Sequence, residues 1–246
     1  MDDFIKLVLP FFSVAKNYAQ VLKKLASFAF YETYLITLLL RSNATIDGWF
    51  ASIEGYGHLG TALKVIPHYD ALNLSGIAVA FVVAIISHAF QFHDRISDVL
   101  GIRKRFDQKQ ILIPLASRVG TQLTQPRLRK IRENRDDLVH AVFYKYASSR
   151  ADNPLVDKHD IEQAMNAWSW YWVFVEGSAY FSIGVAIAWY FGSSDLAKGF
   201  AITVAGLVVL ANLQRLRLNR YARPQVDTIA ADVTAAADVR RTFDAL

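Results

Sequence analysis

The stretch that decides the fold is Asp157–Phe191, DKHDIEQAMNAWSWYWVFVEGSAYFSIGVAIAWYF. It opens like a soluble helix. Asp157 can accept from free N–H groups at a helix start, and Asp160 and Glu162 bring negative charge to the first turn. Ile161, Ala164, Met165 and Trp168 recur at helical spacing. With no Gly or Pro break, the polar pattern passes into Trp168, Trp170, Tyr171 and Trp172, then into an almost wholly apolar run ending at Trp189, Tyr190 and Phe191. Aromatic belts at both ends of an apolar run mark the two membrane interfaces. Trp168 to Phe191 rises about 36 Å as a helix, enough to cross a ~30 Å hydrocarbon core with some tilt. Glu176 is the one residue in that run unsuited to lipid.

Working outward, the chain has 246 residues, 53% hydrophobic and 20% charged. That mixture fits an all-α integral membrane protein with a substantial aqueous part. The absence of cysteine excludes disulfides and thiol-ligated metals. Acids at Asp2 and Asp3, without a small-residue cleavage site, make residues 1–10 a poor signal peptide. Residues 1–24 read as an amphipathic helix at the membrane surface or, equally, as an ordinary core helix. Lys23 and Lys24 flank a short first span, Leu25–Leu40, which carries Glu32. Ser42–Asp70, with four glycines and Pro67, reads as a loop outside the membrane. Ala71–Phe92 is a second span, completing a first membrane segment over 25–93.

Residues 94–167 form a polar, mostly helical cytoplasmic insert. Residues 168–214 form a hairpin of two spans joined by a short turn at Gly192–Gly199. Residues 215–246 are a basic flank, which Pro224 separates from an Ala-rich tail. Val226, Ile229, Val233 and Ala237 give that tail one apolar face. The expectation is four transmembrane helices with the insert between the second and third.

Charge orients this arrangement. The segments 1–24, 94–167 and 215–246 hold 4, 14 and 6 Lys or Arg, so 24 of 27 lie on one side and only Arg41, Lys64 and Lys198 on the other. The basic side is cytoplasmic. Both termini are therefore expected in the cytoplasm of a bacterial inner membrane. The 16 acids in those segments leave that face near +8, suited to anionic lipid headgroups.

Two acids share a depth. Glu32 and Glu176 each sit roughly 10–12 Å inside their spans from the cytoplasmic end. His88 on the second span and Asn212 on the fourth lie at similar depth, so four spans are expected to contribute one polar layer. Tyr31, Thr33, Tyr34, Ser178, Tyr180 and Ser182 read as helix-packing contacts near it. An intramembrane carboxylate points to a pore, a proton site or a coupling pair. The alternative is a protonated or hydrogen-bonded group in a packed bundle.

In the insert, Arg103, Lys104 and Arg105, like Arg215 and Arg217 further on, read as the basic flank of a span, with phosphate binding as the alternative. A helix follows, with Thr124 to cap it, Pro126 in its first turn and a stripe of Leu128, Ile131, Leu138 and Val142. Arg135 falls on that stripe. Arg135-Asp-Asp-Leu-Val-His140 resembles the R-x4-6-H motif of HEPN-superfamily ribonucleases. The resemblance implies metal-independent RNA cleavage, with Arg135 and His140 of two protomers meeting in one groove and RNA as partner. Five residues at about 100° each put the two side chains roughly 140° apart, so one helix cannot aim both at one point. The alternative pairs Arg135 with a carboxylate and leaves His140 on the surface. No Gly-rich phosphate loop, nucleophile elbow or metal-spaced cluster is present, and no cofactor is expected. The GIRKRFD, ILIPLA and WSWYW stretches resemble those of multi-span bacterial membrane proteins, some associated with antiphage systems. That resemblance covers most of the chain and implies phage defence as a setting.

The reading that results is a homo-oligomeric inner-membrane effector or sensor. Its partners are the bilayer and a cytoplasmic protein or signal. A membrane-tethered HEPN-like nuclease is the alternative, and an ion or proton channel the third.

Overall fold

Continuous apolar periodicity and few internal breakers make helices the default for most of this chain. The computed structural model describes residues 14–55, 73–148, 151 and 154–246, and among these the regular structure is helical, without a strand. Two helices are long and apolar enough to cross a membrane, Lys158–Tyr190 and Ser194–Ala231. Leu74–Ala89 and Phe92–Leu100 together make a third candidate, bent by 59° at the break between them. The helices are α1 (Tyr18–Leu40), α2 (Ala44–Gly55), α3 (Leu74–Ala89), α4 (Phe92–Leu100), α5 (Ile102–Phe106), α6 (Ile113–Arg118), α7 (Gln125–Glu133), α8 (Arg135–Val139), α9 (Lys145–Ala147), α10 (Lys158–Tyr190), α11 (Ser194–Ala231) and α12 (Val233–Asp244). The expected amphipathic helix over 1–24 falls partly outside the described residues. Its described end is not a separate element, because α1 starts at Tyr18 and runs through Lys24 without a break.

The chain folds as two units. The first comprises Leu22–His93 and Tyr171–Asn212. Its interior is built from small residues that let helices approach closely. Ala29 and Ala188 are buried, and a Cβ on Gly184 would sit 3.1 Å from Phe200 and 3.2 Å from Ile36. Its outer faces are apolar: Phe81, Val82 and Ile85 on α3 and Ile202 and Val209 on α11 are exposed, as side chains solvated by lipid tails would be.

One end of this unit is tied by polar side chains. Arg41, at the end of α1, reaches Asp47 at 2.7 Å and Glu54 at 2.8 Å on α2, and Asn73 at the start of α3 at 2.8 Å. The α10–α11 turn is tighter than Gly192–Gly199. Gly192 takes φ +75°, Ser193 N–H donates to Ala188 C=O, and α11 resumes at Ser194. Asn43 caps α2 through its Oδ1 and donates to Phe191 C=O and Ser193 Oγ, joining the two turns. The expected loop over 42–70 is thus helical in its described part at 44–55, because Asn43 supplies the cap and Ile46 the buried anchor.

The second unit comprises Val14–Val21, Asp94–Trp170 and Leu213–Leu246. Leu112, Leu115, Ile131, Val142, Val226 and Phe243 form its core. Two π-helical segments, Asp107–Leu112 and His140–Tyr144, interrupt its α-helices. Asp157 caps α10 as the sequence indicates, accepting from His159 N–H at 2.7 Å. Pro224 does not end a helix, since α11 continues through it to Ala231. The break comes at Asp232, which caps α12 by accepting from Ala235 N–H. That restart shifts the apolar face of the tail. Val226 and Ile229 are buried as expected, but Val233 is 85% exposed, and Ala235, Val239 and Phe243 take its place.

Candidate functional site

Of the expected polar layer, the first unit brings two members together. Glu176 lies on α10 with its residue 2% exposed. Next to it, Gly177 has no side chain, and the carboxyl of Glu32 on α1 fills the space. A Cβ on Gly177 would come within 2.5 Å of Glu32 Oε1 and 3.1 Å of Oε2. The two carboxyls are within electrostatic reach of each other. His88 and Asn212 are not part of this layer. Both are exposed, and Asn212 donates to Val208 C=O on its own helix.

The places assigned to them are filled otherwise. His93 Nδ1 lies 3.6 Å from Glu176 Oε1, and His93 itself is buried. One turn along α10 from Glu176, Tyr180 donates to Ser87 on α3 at 2.8 Å. Phe92 stacks on the Tyr180 ring at 5.6 Å, and Trp172 lies edge-on to His93 at 5.9 Å. The result is a largely buried, aromatic-walled set of two carboxyls, an imidazole, a phenol and a hydroxyl.

His93 was missed because a straight second span would carry it past the layer. The 59° bend after Ala89 changes its direction, and it rests on Gln91, a non-glycine residue at φ +47°. Nothing in the local sequence announces a left-handed glutamine. Tyr180 is named by the sequence as a packing contact near the layer, and Gly177 was legible in principle. They lie four residues from Glu176 and beside it, and a glycine beside an intramembrane acid signals close approach.

The second unit holds a different centre. Asp107, 1% exposed, opens the first π-helical segment and pairs with the guanidinium of Arg135 on α8, which also contacts Asp136. Burial pushes the Asp107 carboxyl up from its ordinary range, with Arg135 and Arg103 pulling against that. Burial likewise pushes the Tyr144 phenol up, helped by Asp107 and opposed by Arg103, with which Tyr144 shares a hydrogen bond. Arg135 therefore falls on the apolar stripe because its partner is buried there. His140 is exposed and lies against the Tyr144 ring at 5.1 Å. Arg103 is half-buried at this centre, whereas Lys104, Arg105, Arg215 and Arg217 are exposed, as a basic flank would be. Among the described residues no group of three or more His, Asp or Glu could hold a metal ion.

These features define a helical protein with candidate membrane-crossing helices and a separate polar unit, each with a buried ionisable centre. Residues 17–245 match the YmfE protein family, and the chain belongs to that family. No curated protein and no solved structure matches it.

Proposed function

We propose that this protein is an oligomeric effector or sensor of the bacterial inner membrane, with four spans and both termini in the cytoplasm. Its polar unit receives a cytoplasmic signal or protein partner, and α10 carries the response to the apolar unit. One observation carries this reading. Lys158–Tyr190 is a single unbroken helix whose early residue Ile161 belongs to the polar core and whose later residue Phe181 belongs to the apolar core. A helix of 33 residues is about 50 Å long. The 24-to-3 division of basic residues supports the orientation.

Because the chain has no cysteine, single cysteines report cleanly. An impermeant maleimide applied to whole cells is expected to label Asp195→Cys and to spare Lys104→Cys and Val233→Cys until the membrane is opened. Labelling of Lys104→Cys and Val233→Cys from opposite sides would sink the four-span topology. For coupling, a fluorophore at Ile183→Cys is expected to change emission when Asp107→Asn is introduced. A Gly-Gly insertion after Ser169 should abolish that change. Emission indifferent to Asp107→Asn would remove the signalling role of α10.

A further inference from the structure

The polar set of the first unit has a composition that the effector reading does not require. The Glu32 carboxyl lies against Gly177, the residue next to Glu176 on α10. Glu32 Oε2 is buried and has no hydrogen-bond partner among the described residues. A buried, unpartnered carboxylate oxygen is costly, and the least costly remedy is a proton. Two carboxylates sharing a site cannot both ionise freely. One partner of Glu176 is an imidazole, the side chain whose charge changes most readily near neutral pH.

The geometry points to a proton-binding site at Glu32 and Glu176, loaded through His93. The neutral arrangement holds two protons on three groups: one on the Glu32 carboxyl and one on His93, opposite ionised Glu176. Loading moves the Nδ1 proton of the imidazolium to Glu176 Oε1. The N–H bond breaks, the O–H bond forms, and two opposite charges become two neutral groups with no other reactant. His93 then takes a proton from hydronium, which becomes water, and the site as a whole has gained one proton. Tyr180, whose hydroxyl donates to Ser87, and the buried Lys24, two turns before Glu32 on α1, are further titratable groups on the helices that bear these carboxyls, as are Tyr31, Tyr34 and Tyr171. The site is independent of the effector reading, because it stands on residues of the first unit alone.

Infrared difference spectroscopy of the full chain in phosphatidylethanolamine–phosphatidylglycerol vesicles tests it. At neutral pH the wild type should show the carbonyl stretch of a protonated carboxyl, shifted in D2O and by carboxyl-13C glutamate. Glu32→Gln should lose that band, and Glu176→Gln should shift it. His93→Gln should keep it while slowing its exchange into D2O at least tenfold. The exposed control Glu133→Gln should change nothing. A wild-type spectrum without the band overturns the site, whatever the variants do. So does a band that survives Glu32→Gln unchanged, or exchange as fast in His93→Gln as in wild type.

Discussion

Each unit of this protein buries a carboxyl, and the two solve the problem differently. Asp107 is held by Arg135, a guanidinium that keeps its charge at any working pH. Glu176 is held by His93, an imidazole whose charge comes and goes. A fixed cation makes a lock: the pair is either intact or broken, and breaking it damages the fold. A titratable partner makes a centre whose charge can be rearranged without unfolding. Both arrangements occur in one chain of 246 residues.

The largest expected effect comes from breaking the lock. Arg135→Ala leaves Asp107 buried and uncompensated, which costs about 3–5 kcal/mol. It should lower the midpoint of unfolding of the purified chain sharply, and Asp107→Leu combined with Arg135→Leu should recover most of the loss. His140→Ala, at an exposed position, should leave the midpoint unchanged. A HEPN-like nuclease predicts a different pattern: both variants fold as wild type, and both lose metal-independent RNA cleavage.

The second effect concerns the other centre. Gly177→Ala places a methyl group within 2.5 Å of Glu32 Oε1. Overpacking of this kind costs about 1–3 kcal/mol. The double variant Gly177→Ala with Glu32→Ala should regain much of that stability, because the clash is with the carboxyl itself. Thermal unfolding in vesicles measures both. Additive losses in the double variant would mean that Glu32 does not rest on Gly177.

The sequence makes α10 legible almost to the residue, since a cap, an apolar period and two aromatic belts all agree along Asp157–Phe191. It also marks Glu32 and Glu176 as one layer, because depth along a helix follows from residue counting alone. It misleads wherever a backbone direction changes without a glycine or proline. Gln91 bends the second apolar segment and brings in His93, whereas His88, counted along a straight helix, is exposed. The reverse error occurs at Pro224, which reads as a stop but lies within α11. There the buried residues Ala222, Val226 and Ile229 on either side hold the helix through the missing N–H. Arg135 is a third case. Its partner Asp107 lies 28 residues away in sequence, and no local pattern links the two.

Asp107 is expected to titrate unlike an ordinary salt-bridged acid. Burial raises its folded-state value above the ordinary 3.8. The folded state therefore binds this proton more readily than the unfolded chain, and stability is lost as pH rises through the folded value. Wild type should lose stability relative to Asp107→Asn as pH rises from about 3.8, and the difference should level off above the folded value. A gap that instead moves in favour of wild type with rising pH would show that Arg135 outweighs the burial of the carboxyl.

The smallest effect is the opposite case, on the same unit's surface. Asp238 on α12 accepts from Lys145 Nζ at 2.8 Å and from the Tyr146 hydroxyl at 2.7 Å. Lys145, with Tyr146, holds its carboxyl below the ordinary value of 3.8. For a depressed acid the linkage reverses: its contribution is fully present above the unfolded value and disappears as pH falls through the folded one. Both charged side chains are largely in water, at 56% and 36% exposure, so the pair contributes about 0.2–1 kcal/mol. Asp238→Asn should thus lower stability slightly at neutral pH and match wild type in strong acid. Salt should shrink the neutral-pH difference, since exposed pairs are screened. Tyr146→Phe keeps the ion pair and removes one donor, so it should show a smaller loss with the same pH trend. If Asp238→Asn and Asp107→Asn respond to acid in the same direction, burial does not distinguish the two aspartates, and the contrast between a buried and an exposed pair fails for this unit.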